Sequence, residues 1–200
     1  MQIVLEDTAG QPIDPVLFQV MARRKDLSGD GKPSALRLTD GHATLLPGRW
    51  DLALVPIAAY YVAGFSGPHP DGASAARPDG WNEIVTFGGE STVKFVLSPN
   101  PGIAHGTVTD AGQKPVAGAP VVLEPFNPET HKRLGDPRVT RTDLQGVYHF
   151  YGLAPGAFRI LSTFEYESPD AAAMDSAGAR VIMVEQARDT AQDLDLFVLP

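Results

Sequence analysis

Two tandem β-sandwiches, all-β and Greek-key in connection, with about seven short strands each, are what this 200-residue sequence predicts. Three observations lead there. The stretch Thr142–Leu161 reads as turn, strand, tight turn, strand. Asp143 and Gly146 supply a reversal, and Tyr148 and Phe150 then share one face with Val147 and His149 on the other. Pro155-Gly156 turns the chain, because Pro presets φ and Gly accepts a positive one, and Phe158 and Ile160 resume the alternation. A weaker copy, Thr39–Leu54, sits about a hundred residues earlier, a period that marks domain duplication rather than a solenoid. Finally, 18 Pro and 20 Gly are spread through the chain at turn-like places, the punctuation of many short strands.

In order, Gln2 to Glu6 is a short apolar strand and Asp7-Thr-Ala-Gly-Gln-Pro12 a turn. A second strand is expected over Val16 to Ala22, with Val16, Phe18 and Val20 on one face. Arg23 to Pro33 is polar and Gly-rich, hence loop. Ala35 to Leu38 and His42 to Leu46 read as a hairpin closed by Asp40-Gly41. Trp50, Leu52 and Leu54 share a face of the next strand, and Ala58 to Phe65 forms another. After a long Gly/Pro/Ala loop from Ser66 to Asn82, Glu83 to Phe87 and Thr92 to Leu97 are expected to pair as a hairpin around Gly88-Gly89.

Ser98-Pro-Asn-Pro-Gly102 is a short, stiff connector, which places one domain at 1–99 and a second at 100–200. The second half repeats the plan. Ile103 to Val108 is a strand, Thr109-Asp-Ala-Gly-Gln-Lys-Pro115 repeats the first turn, and Pro120 to Glu124 is a strand. Pro125 to Pro137 is a polar loop. Glu165 to Gly178 is an acidic insert, a helical turn or a loop. Ala179 to Val184 and Asp193 to Leu199 are expected as a closing hairpin that mirrors Ile84 to Leu97.

The second half resembles the carboxypeptidase regulatory-like domain family of the transthyretin-like sandwiches. The resemblance is carried by Gly106-Thr-Val-Thr-Asp, Pro115-Val-Ala-Gly-Ala-Pro-Val, Thr142-Asp-Leu-Gln-Gly-Val-Tyr-His-Phe and Leu153-Ala-Pro-Gly-Ala-Phe158. The first half matches in part. It has no Gly-x-Val opening, and Pro12-Ile-Asp-Pro15 replaces Pro-Val-x-Gly-Ala, so it reads as a diverged copy. The resemblance implies accessory or spacer modules without catalysis in larger secreted or envelope proteins. Related sandwiches include starch-binding modules and intradiol dioxygenases.

Composition excludes several classes. A net charge of −8 with only two short basic clusters, Arg23-Arg24-Lys25 and His131-Lys132-Arg133, argues against nucleic acid. The absence of cysteine removes disulfides, thiolate metal sites and a Cys nucleophile. No apolar run approaches the ~18 residues of a membrane span, and the opening Met1–Asp7 reads as a strand rather than a signal peptide.

No catalytic residue, cofactor or metal site is assigned from the sequence. The two-Tyr, two-His iron site of the dioxygenases has no counterpart in spacing, since the five histidines are scattered and Tyr148 falls on the core face. His105 and His149 are placed to meet across strands. Asp26, Ser28 and Asp30 resemble the front of a calcium loop, but Arg37 stands where the bidentate Glu belongs. No serine sits in a Gly-x-Ser-x-Gly elbow, and no Lys–Asn/Asp–Glu isopeptide motif is visible. Trp50 follows Pro-Gly as Phe158 does, and is expected in the core. Trp81 is different, an aromatic in the polar loop Arg77-Pro-Asp-Gly-Trp-Asn82. With Tyr60, Tyr61, Asp79 and Asn82 it forms the candidate ligand-binding set.

The expected function is therefore a non-catalytic module of an extracytoplasmic protein, spacer or protein-interaction surface. A polysaccharide-binding module is the alternative. Pairing of exposed sheet edges between copies is compatible with both.

Overall fold

Turn chemistry sets where the strands begin and end. Asp7 Oδ1 accepts the amides of Ala9 and Gln11, both at 2.8 Å. Asp110 Oδ1 accepts those of Gly112 and Lys114 at 2.8 and 2.9 Å. The same Asx turn thus follows the first strand of each half. The protein was analysed as a computed structural model, which describes residues 1–25, 31–69 and 76–199. It divides into two units, Met1–Pro99 and Asn100–Pro200.

In the first unit the strands are β1 (Gln2–Asp7), β2 (Val20–Arg24), β3 (Ser34–Ala35), β4 (Gly48–Leu54), β5 (Tyr60–Ser66), β6 (Asn82–Thr86) and β7 (Thr92–Pro99). One sheet has the order β1-β7-β5, the other β3-β2-β4-β6. The second unit contains β8 (Gly102–Thr109), β9 (Pro120–Asn127), β10 (Lys132–Arg133), β11 (Arg138–Arg141), β12 (Val147–Leu153) and β13 (Gly156–Ser162). It continues with α1 (Ala171–Ser176), β14 (Arg180–Val184), β15 (Asp189–Ala191) and β16 (Leu194–Asp195). Its sheets are β10-β9-β13-β14, with β11 also on β9, and β12-β8-β15, with β16 also on β8. The protein is all-β, and each unit packs two sheets around one core. Ile3, Leu5, Leu52, Ile84, Phe95 and Leu97 centre the first, and Val108, Leu123, Tyr148, Phe158, Ile160 and Leu194 the second.

The two units share a plan strand for strand: β1 matches β8, β2 matches β9, β3 matches β11, β4 matches β13 and β6 matches β14. In each, the last strand runs parallel to the first, β7 on β1 and β15 and β16 on β8. Two places differ. β12 pairs with β8 from Val147↔Thr107 to Leu153↔Gly102, whereas the equivalent stretch of the first unit is reduced to a bridge between His42 and Gln2. Between the fourth and fifth shared strands, the first unit inserts β5 and a loop, and the second inserts α1.

Several expectations are corrected here. Glu83–Phe87 and Thr92–Leu97 do not form a hairpin: β6 pairs with β4, and β7 with β1 and β5. The chain arches from one sheet to the other through Gly88 and Gly89, at φ 84° and 86°. The closing stretch of the second unit does the same, β14 pairing with β13 while β15 and β16 join β8. Alternation identifies which residues face the core, and both strands of an arch face it from opposite sheets. The second strand starts at Val20 rather than Val16. Pro15–Leu17 is a 3-10 turn whose N-cap Asp14 accepts the Val16 amide at 2.9 Å, leaving Val16 86% exposed. Asp40-Gly41 is the expected reversal, with φ 50° and 75°, but the pairing around it goes no further than Thr39↔His42. The acidic insert resolves as a helix, capped by Asp170 through the Ala173 amide at 2.8 Å. No helix among the described residues is long and apolar enough to cross a membrane.

Candidate functional site

The residues singled out in the first unit lie on two different sheets. Tyr60, on β5, packs half-buried against the core with its ring 6.0 Å from that of Phe18. Tyr61, its neighbour, is also half-buried. Trp81 immediately precedes β6 in the other sheet. Its loop is tied to itself: Asp79 Oδ1 accepts the Trp81 amide at 3.1 Å and Oδ2 pairs with Arg77 at 2.8 Å. The Asn82 side chain accepts from the Arg77 amide at 3.0 Å and donates to Gly80 O at 2.9 Å. Asp79 and Asn82 therefore spend their polar atoms on the loop's own shape.

Trp81 has a partner within the protein. The Arg23 guanidinium lies 4.4 Å from the centre of its ring, a cation–π contact. Arg23 Nε and Nη2 reach the fully buried Asp51 Oδ2 at 3.0 and 2.8 Å. Lys25 stands 3.7 Å from Asp51 Oδ1 and 3.2 Å from Glu83, which also takes Arg49. Burial works to raise the Glu83 carboxyl, but hydrogen bonds from Arg49 and Lys25 and then their charges outweigh it, and the net shift is downward.

The second unit carries the same device in other residues. Arg159 and Glu124 pair across β13 and β9, both buried, and Arg133 and Asp175 extend the network. Arg159 lies 4.2 Å from the Phe126 ring centre. α1 closes over this face of the sheet, where Met174 is fully buried against Val122 and Leu161, a contribution of about 1.5–3 kcal/mol. Sequence reading missed both pairs. Their signal is a lone charge inside an apolar strand: Arg23 after Val-Met-Ala, Asp51 between Trp50 and Leu52, Glu124 after Val-Val-Leu, and Arg159 between Phe158 and Ile160.

His105 and His149 do meet, directly opposite in register with ring centres 5.8 Å apart, and Tyr151 stacks on His149 at 5.5 Å. The ring planes are inclined to one another by 25° and 10°. Tyr148 is buried, its hydroxyl donating to Gln192 O at 2.6 Å, and burial together with the charge of Asp193 raises its ionisation above the ordinary phenol value. Arg138 donates to Tyr151 O at 2.7 Å, and burial pushes its guanidinium down to about 10. Among the described residues no three His, Asp or Glu side chains are grouped to hold a metal. The loop carrying Asp26, Ser28 and Asp30 lies outside the described residues.

No protein-family model matches the sequence, and no curated protein matches it. Solved structures with a similar course include the C-terminal fragment of the pilus adhesin SpaC from Lactobacillus rhamnosus GG. It is 14% identical, with a TM-score of 0.31, over 100% of this chain and 98% of that one. The Bacillus anthracis TIE protein is 12% identical, with a TM-score of 0.36, over 98% of this chain and 33% of that one, so this chain spans about a third of its length. A minor pilin of Streptococcus agalactiae is 11% identical, with a TM-score of 0.34, over 92% and 84%. At TM-scores below 0.5 these likenesses say nothing of activity or partner.

Proposed function

We propose that this chain is a non-catalytic accessory module of a larger secreted or cell-envelope protein, acting as a spacer or protein-interaction surface. We read both halves as carboxypeptidase regulatory-like sandwiches, the first diverged. One observation carries the reading: the polar clusters are closed on themselves. The insert of each unit lies over a buried ion pair, Trp81 over Arg23–Asp51 and α1 over Glu124–Arg159, so the charges are neutralised within the unit and are not presented to a ligand. The carbohydrate alternative lacks comparable support. A pyranose stacks on a free aromatic face, whereas Arg23 occupies one face of Trp81 and Tyr60 faces the core.

Affinity gels of several polysaccharides, elemental analysis of the purified protein and protease shaving of intact cells test the reading together. No retention, no stoichiometric metal and removal by shaving are expected. Retention abolished by Trp81→Ala, or one bound metal per chain, overturns it.

A further inference from the structure

The duplication exposes a gap in the first unit that the second has filled. Leu5 corresponds to Val108, because Ile13 N donates to Leu5 O at 2.8 Å as Val116 N donates to Val108 O at 2.9 Å. Val108 in turn donates to Gly146 O at 2.9 Å, at the start of β12. Gly146 fits so tightly that a Cβ there would lie 2.9 Å from Pro115 Cβ and 3.0 Å from Val108 O. Thr142 seals the same end, its hydroxyl donating to Val116 O at 2.6 Å and accepting the Ala119 amide at 2.8 Å.

None of this closure is present in the first unit. Its turn at Asp40-Gly41 leaves the sheet opposite Ile3, whose amide donates to Gly41 O at 2.8 Å. The amide of Leu5 is left with no backbone acceptor among the described residues. Leu38 stands in the place of Thr142. The result is a cleft of about 890 Å³ along β1, walled by Ile3, Ile13, Phe18, Leu36 and Leu38. Val16 and Leu17, 86% and 64% exposed, stand at its rim on the 3-10 turn fixed by Asp14 and Pro15. Among the described residues that line it two are charged, Asp14 and Asp40, both acidic.

We propose that this cleft binds an extended, apolar, positively charged peptide segment of a partner protein, added to β1 as a short strand. The inference rests on the reading of the chain as a protein-interaction module. The second unit shows what the place accepts: a strand-forming segment that offers a carbonyl to the Leu5-equivalent amide and apolar bulk to the cleft. Asp14 and Asp40 select a cationic occupant, since a matching positive charge is attracted and an acidic one repelled.

The test is an amide NMR titration of the full chain with acetyl-Lys-Val-Thr-Val-Thr-Val-Lys-amide. The Leu5 and Ile3 amide signals are expected to shift, and Leu5 hydrogen exchange to slow by about tenfold or more. Leu17→Ser, a surface change that removes apolar bulk without altering the charge of the cleft, and exchange of both peptide lysines for glutamate are each expected to weaken binding by about tenfold. Leu5 unmoved at millimolar peptide, shifts confined to another sheet edge such as β14, or equal binding by Leu17→Ser overturns the proposal. Those outcomes leave the module reading standing as long as the gels and the metal analysis remain negative, so the two failures are distinguishable.

Discussion

Arg23 and Asp51 face each other across β2 and β4 at the register position that Glu124 and Arg159 hold across β9 and β13, with the charges exchanged. The position follows from the Pro-Gly corner, since Asp51 and Arg159 each stand three residues after the glycine, at Gly48 and Gly156. Both pairs lie on the outer side of a sheet whose inner side is core, and an insert shields each from water. What the two units share is neutrality at a buried site, met with either polarity.

The first prediction concerns these pairs. Removing one partner leaves an uncompensated buried charge, so Glu124→Ala and Arg159→Ala should each cost about 3–5 kcal/mol. The double change Glu124→Leu with Arg159→Met should cost much less, because it removes the desolvation of both charges. Urea unfolding measures both, and single variants within about 1 kcal/mol of the parent would refute the argument. In the first unit, Asp51→Arg with Arg23→Asp should recover only part of the loss from Asp51→Arg alone. Lys25, 3.7 Å from Asp51, and the Trp81 ring over Arg23 favour the present polarity.

The second prediction separates the two roles of Trp81. If the ring caps Arg23, Trp81→Ala should destabilise the protein by about 1–3 kcal/mol, the cation–π contact and lost packing combined. Retention on polysaccharide gels should not change. Trp81→Phe, which keeps a flat ring, should recover part of the stability. A variant that unfolds as the parent does but loses sugar retention would favour the carbohydrate alternative.

Much of this architecture was legible because turns and core alternation are local. Asp7 and Asp110, Pro47-Gly48 and Pro155-Gly156, and the inward Tyr148, Phe150 and Phe158 follow from residue chemistry within a few positions. Which strand pairs with which does not. β6 and β7 alternate like the two halves of a hairpin, yet β6 bonds to β4 and β7 to β1 and β5, and not to each other. Val16 looked like a strand residue because period 2 runs through Val16, Phe18 and Val20, but Asp14 and Pro15 impose a 3-10 turn first. Trp81 is an aromatic outside any local pattern. Its partner Arg23, 58 positions earlier, is reached only once the sheet has formed.

A pH dependence follows from Glu83. Its folded carboxyl is shifted below the ordinary glutamate value of 4.5, so the unfolded chain binds the proton more readily. The stabilisation from Arg49 and Lys25 is complete above that value and is lost as pH falls through the lower folded value. Melting temperature should therefore drop more steeply below pH 4.5 in the parent than in Glu83→Gln. The effect is modest, since the Arg49–Glu83 pair is largely solvent-facing on the Arg49 side. Parallel profiles for the two proteins would remove Glu83 from the account.

The last prediction tests how β8 is held to the end of the chain. A Cβ on Gly106 would lie 2.0 Å from Gln192 O and 2.6 Å from Gln192 C, so Gly106→Ala must push the 190–193 segment away. Beside the β15–β8 pairing, the hydrogen bonds that fix that segment include Gln192 N to His105 O at 2.8 Å, Thr107 N to Asp193 Oδ1 at 2.8 Å, and Tyr148 hydroxyl to Gln192 O at 2.6 Å. Overpacking and the stranded polar groups together should cost about 3 kcal/mol or more. A spectroscopic sign accompanies the loss. Burial and the charge of Asp193 hold the Tyr148 phenol above its ordinary ionisation, and displacement of the segment should let it fall back. Gly106→Ala with parental stability and an unmoved Tyr148 titration would mean that the strand accommodates the methyl, and that the close approach of β8 to Gln192 is not what fixes this edge.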